Sequence, residues 1–172
     1  MSKQSFEANF SELVKVLQHE IKVYRGLLDV VRKEKQLLIA SELDELSENN
    51  RSKEAQLIKL KSLEKQRVQL AGEVSAHLSL PEDEPRLLDM ANTLGGEPGE
   101  KLRNLHSVLD LLLRRVHELN QSNEKLVNSA LNNITGALKA LKSSLDENPT
   151  YKRKGSEVKG SAQSGQLVSR EA

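Results

Sequence analysis

The chain has 172 residues, of which 30% are charged and only 2% aromatic, with no cysteine and a formal net charge of +1. That composition excludes disulfides and thiolate metal sites, suits a thick globular core badly, and leaves no charge imbalance to draw the chain to nucleic acid or an acidic membrane. The opening MSKQSFEANF lacks the continuous apolar stretch of a signal peptide, and no run approaches the roughly 18–20 apolar residues a membrane span needs. A cytoplasmic protein without membrane insertion is the expectation.

In chain order, the first predicted helix covers about 5–39. Phe6, Phe10, Leu13, Leu17, Ile21, Tyr24, Leu28, Val31 and Leu38 lie three, four or seven apart and form one stripe. A break follows at IASELDEL, where Ser41 and Asp44 match a capping box for a second helix over about 42–78. The seam of that helix reads Leu43, Leu46, Asn50, Lys53, Leu57, Leu60 and onward to Leu78, and its early part is polar. Pro81, Pro85, Pro98 and Gly95-Gly96 then punctuate about twenty residues. Pro85 suits the first position of a short helix over about 85–94 that Gly95 stops.

The third long helix is expected over about 99–145. Leu102, Leu105, Leu109, Leu112, Val116, Leu119, Asn123 and Leu126 alternate three and four apart. Beyond them the large apolar residues move sideways to Val127, Leu131, Ile134, Leu138, Leu141 and Leu145, a stutter centred on Asn123. From Asn148-Pro149 the sequence has almost no apolar mass, and it reads as a disordered tail. The fold class expected is all-α: an antiparallel three-helix bundle or coiled coil of long helices. A short helix occupies the second connection, the bundle covers 1–146, and a flexible tail covers 147–172.

The third helix is the longest, so its last residues should run past the turn between the first two. Their apolar row would then lack a full partner within the chain. Asn120, Asn123, Asn128, Asn132 and Asn133 flank this row without adding charge. They can keep a partner-binding face soluble and bond a bound peptide's backbone; equally, Asn123 can fix helix register, a known use of a seam asparagine. The candidate binding set is Asn123, Val127, Leu131, Ile134, Leu138, Leu141 and Leu145.

Catalytic chemistry is not expected. None of His19, His77, His106 and His117 follows a glutamate by three residues, so the Glu-x-x-His pattern of bundle metal sites is missing. These histidines read as solvated helix-face residues, with no metal or cofactor implied. Gly95-Gly96-Glu97-Pro98-Gly99 lacks the Lys-Ser/Thr of a phosphate loop. Tyr151, beside Lys152-Arg153-Lys154, is a lone aromatic anchor of the kind docking motifs use.

The stretch LLDVVRKEKQLLIASELDELSENNRSKEAQLIKLKSLEKQRVQL resembles the N-terminal half of the FlgN family of flagellar export chaperones. Lys53 and the Leu60, Leu63, Glu64 and Arg67 ending carry that likeness. NQSNEKLVNSAL is similar to the family's Asn-x-x-Asn-x-x-Leu pattern at Asn120, Asn123 and Leu126, and YKRKG to its terminal Tyr and Gly at Tyr151 and Gly155. The resemblance implies a non-enzymatic cytoplasmic chaperone for type III flagellar export. It further implies clients among the hook–filament junction proteins, FlgK- or FlgL-like, held by the C-terminal part, with Tyr151 docking on the export gate. A monomer or weak homodimer is expected. The alternative is a structural homodimeric coiled-coil protein whose dimer seam is the same row.

Overall fold

The computed structural model describes residues 3–80 and 86–147, and every element among them is helical. Helix α1 spans Lys3–Ala40, α2 Leu43–His77, α3 Leu87–Leu94 and α4 Gly96–Glu147. The chain divides into two units, Met1–Asn128 and Ser129–Ala172. Of the tail predicted over 147–172, Glu147 ends α4 and the rest, including Tyr151, lies outside the described residues, as does Pro85.

Helix α1 is the centre of the first unit. Its predicted stripe is buried at Leu13, Leu17, Ile21, Leu28 and Val31, but Val14, Val16, Glu20, Val23, Leu27 and Leu37 are buried as well. A helix with one neighbour buries one stripe; this one faces partners on two sides. The same core draws Leu60, Leu63, Ala71 and Val74 from α2, Leu87, Met90 and Ala91 from α3, and Leu102, Leu109, Leu112 and Val116 from α4.

Polar contacts fix the direction of the α1–α2 pair. Asn49 Nδ2 donates to the Val30 carbonyl at 3.0 Å, Lys53 Nζ to Glu34 at 2.8 Å, and Arg67 Nε to Glu20 at 3.3 Å. From Lys53–Glu34 to Arg67–Glu20 the α2 partner advances along the chain while the α1 partner retreats, so the two helices are antiparallel. The early α2 seam differs from the one read by hydrophobicity: Leu43 and Asn50 are exposed, Leu57 is largely so, and Asn49 is buried. Gln56 takes the inward place expected of Leu57, its amide lying 3.6 Å from where a Cβ on Gly26 would stand. The Val30 carbonyl and a close glycine on α1 make amides a good fit there.

The capping box at Ser41 does not form. Helix α2 has Glu42 as N-cap, with no side-chain cap bond. Ser41 instead ends α1 at a left-handed φ of 59°, where its N–H donates to Leu38 O and the Glu42 N–H donates to Leu37 O at 3.1 Å. This is the Schellman arrangement, which satisfies the orphan carbonyls of a helix end. Ser79, at φ 56°, ends α2 the same way, with Leu80 N–H reaching Ser75 O at 3.1 Å.

Helix α3 starts at Leu87, two residues later than Pro85 suggested, and α4 starts at Gly96, three before the expected Gly99. One residue joins the two helices. The Gly95 N–H donates to Ala91 O at 3.1 Å, closing α3, and its carbonyl accepts from Gly99 N–H at 2.9 Å, opening α4. Gly95 manages both at a φ of 60°, which glycine adopts without steric cost. Pro98 fits the first turn of α4 because no N–H is required there.

Candidate functional site

Helix α4 changes character along its length. Up to Asn123 its inward residues are buried: Leu102, Leu109, Leu112, Val116 and Asn123 each fall below a tenth exposed. Leu126 is half-buried, and every residue from 127 to 145 is exposed. Val127, Leu131, Ile134, Leu138, Leu141 and Leu145 range from 39% to 67% exposed, although their 4-3-4-3-4 spacing makes one apolar row about 27 Å long. No residue from 126 to 138 is charged. Six large apolar side chains on one face, with Lys139 and Lys142 as the only charges between the first and the last of them, form a patch of the kind that marks an interaction surface.

Asn123 does not belong to that face. It is 4% exposed, and its Nδ2 donates both to the Val31 carbonyl at 3.1 Å and to Glu34 Oε2 at 2.8 Å. Glu34 also takes Lys53 Nζ at 2.8 and 3.1 Å. An amide committed to two internal acceptors is withdrawn from a partner's backbone, so Asn123 leaves the candidate binding set. Its position matches the register-fixing role instead. The Glu34–Lys53–Asn123 network links α1, α2 and α4, and the sequence singled out Lys53 and Asn123 but not Glu34.

The row is carried by a poor helix. Asn128 to Gly136 includes three asparagines, Ser129, Thr135 and Gly136, which together disfavour the helix by on the order of 4–5 kcal/mol relative to alanine. Thr135 Oγ1 bonds back to the Leu131 carbonyl at 2.8 Å and Ser144 Oγ to Leu141 O at 2.8 Å, contacts that compete with the helix ladder. A Cβ at Gly136 would meet nothing within 4 Å.

A second polar site lies in the core. Glu20 is 3% exposed, with Oε1 on Arg67 Nε and Oε2 without a hydrogen-bond partner. Burial pushes its carboxyl up from the ordinary range despite the opposing Arg67 charge, and Glu64 adds to the rise. Tyr24, close by, is raised by burial and by Glu20. One acid with one bound guanidinium supplies no nucleophile or proton relay. His77 departs from its reading as a solvated residue: its ring is half-buried edge-on to Phe6, with centroids 5.7 Å apart. Among the described residues no group of three or more His, Asp or Glu side chains could hold a metal. No helix among them is long and apolar enough to cross a membrane.

No curated protein and no solved structure matches the chain. The family model for the FlgN protein matches residues 1–159. That span takes in all four helices and the whole uncovered row, and the chain therefore belongs to the FlgN family, a family of chaperones rather than enzymes.

Proposed function

We propose that the protein is a cytoplasmic flagellar export chaperone whose binding surface is the apolar row Val127, Leu131, Ile134, Leu138, Leu141 and Leu145. The observation that carries this reading is the uninterrupted exposure of residues 127–145 in a member of a chaperone family. Its clients are hook–filament junction proteins, FlgK- or FlgL-like, whose terminal segments are amphipathic. Such a segment docks as a helix whose apolar side covers the row. Each large side chain covered contributes on the order of 1.5–3 kcal/mol before ordering costs are subtracted. Tyr151, in the tail, docks the loaded chaperone on the export gate.

Replacing both Leu138 and Leu141 by Asp should abolish co-purification of the client's C-terminal segment, with helix content by circular dichroism unchanged. Retained binding would remove the row from the site. Tyr151→Ala should leave client binding intact and impair secretion of the client in cells; loss of binding with normal secretion would reject that division of labour.

The 4-3-4-3-4 spacing also suits a coiled-coil seam between two copies. Sedimentation separates the readings, because a tight dimer burying 127–145 leaves no face for a client. A monomer that captures the segment one-to-one supports the chaperone.

A further inference from the structure

The helix that carries the row has little to hold it. Residues 129–145 are all exposed, so burial stabilises none of their side chains. Their sequence is rich in asparagine and holds Thr135 and Gly136 near its centre, and no charged residue before Lys139 allows a reinforcing ion pair. Thr135 and Ser144 bond back to the carbonyls of the turn before them. Nineteen residues, from Ser129 to Glu147, exceed the minimum for an isolated helix only modestly, and that minimum applies to alanine-rich sequences.

We propose that residues 129–147 form a conditional helix: in the free chain it opens and closes locally, and it closes fully only when a client covers the row. The inference rests on the reading of the row as the client-binding face, and it adds how that face is regulated. Affinity is reduced by the fraction of time the segment is open, as for any site whose competent state is partly populated. A chaperone that must surrender its client gains from such a site, since release needs only that the segment open.

The geometry provides a clean probe. At about 100° per residue, Gly136 lies about 180° from the centre of the row and Ala140 about 140° from it. Neither can touch a helix docked on the row, and the space around Gly136 is open. Gly136→Ala should therefore tighten binding of a junction protein's C-terminal segment about five-fold, and Ala140→Gly should weaken it about five-fold, through helix propensity alone. Equal affinity for both variants and the parent chain would overturn the inference.

A second measurement needs no client. Amide hydrogen exchange on the free full-length chain should be fast across 129–147 and slow across 102–123, and Gly136→Ala should slow exchange in the first segment only. Protection of 129–147 equal to that of 102–123 overturns the conditional helix whatever the client proves to be. Fast exchange there, with no junction segment bound by the parent chain, keeps the conditional helix and rejects the choice of client.

Discussion

Glu20 keeps a carboxylate in the core, with one oxygen on Arg67 and the other without a partner. Its folded-state pKa is raised, foremost by burial, so the folded chain holds this proton more tightly than the unfolded chain. The stabilisation is then fully present below the unfolded value of about 4.5 and is lost as pH rises through the raised folded value. Glu20→Gln removes the titration. Its urea midpoint should gain on the parent's as pH rises from about 4 to about 7. A constant offset between the two would show that Glu20 does not titrate differently on folding. Sequence periodicity could not find this residue, because the charge is neutralised by an arginine 47 positions away. The same holds for Asn49 and Gln56: the three–four spacing of the seam picks Asn50 and Leu57 as inward, whereas the pairing surface on α1 offers a carbonyl and a glycine.

At the level of the helix, ends and junctions carry the testable detail. Ser41 and Ser79 occupy left-handed positions that glycine adopts at less steric cost. Ser41→Gly should raise stability by about 0.5–1 kcal/mol, measured by chemical denaturation. Gly99 behaves in the opposite sense. A Cβ there would stand 2.4 Å from the Ala91 carbonyl oxygen, a backbone atom of α3. Gly99→Ala should cost about 1–3 kcal/mol and lower the melting temperature by several degrees. An unchanged transition would mean that the α3–α4 junction yields freely. The long helices themselves were legible in the three–four alternation of their leucines, and each predicted end fell within a few residues of the observed one. The error at Ser41 has a simple origin: a serine before a helix suits an N-cap by composition, and only the backbone reveals that it closes the preceding helix instead.

For the molecule as a whole, the division between residues spent on the core and residues left exposed falls along α4. The apolar stutter at Asn123 was visible in sequence, because the large side chains shift by one position after it. Which of its two readings that asparagine takes, and with which partners, was not visible, because Val31 and Glu34 are far away in the chain. A row so exposed makes self-association the natural competitor of client binding. The free chain should sediment as a monomer at micromolar concentration, and adding Leu138→Asp with Leu141→Asp should leave that value unchanged. A shift from dimer to monomer in that variant would assign the row to a second copy.

The stretch from 126 to 138 without a single charge bears on kinetics. Long-range attraction has nothing to act on over that stretch, with Lys139 and Lys142 confined to the far end of the row, so capture proceeds by ordinary diffusive collision, at about 10⁵–10⁶ M⁻¹s⁻¹. Stopped-flow rates should then hardly respond when sodium chloride is raised several-fold. A cell relying on such a catcher would compensate with copy number rather than with speed of encounter.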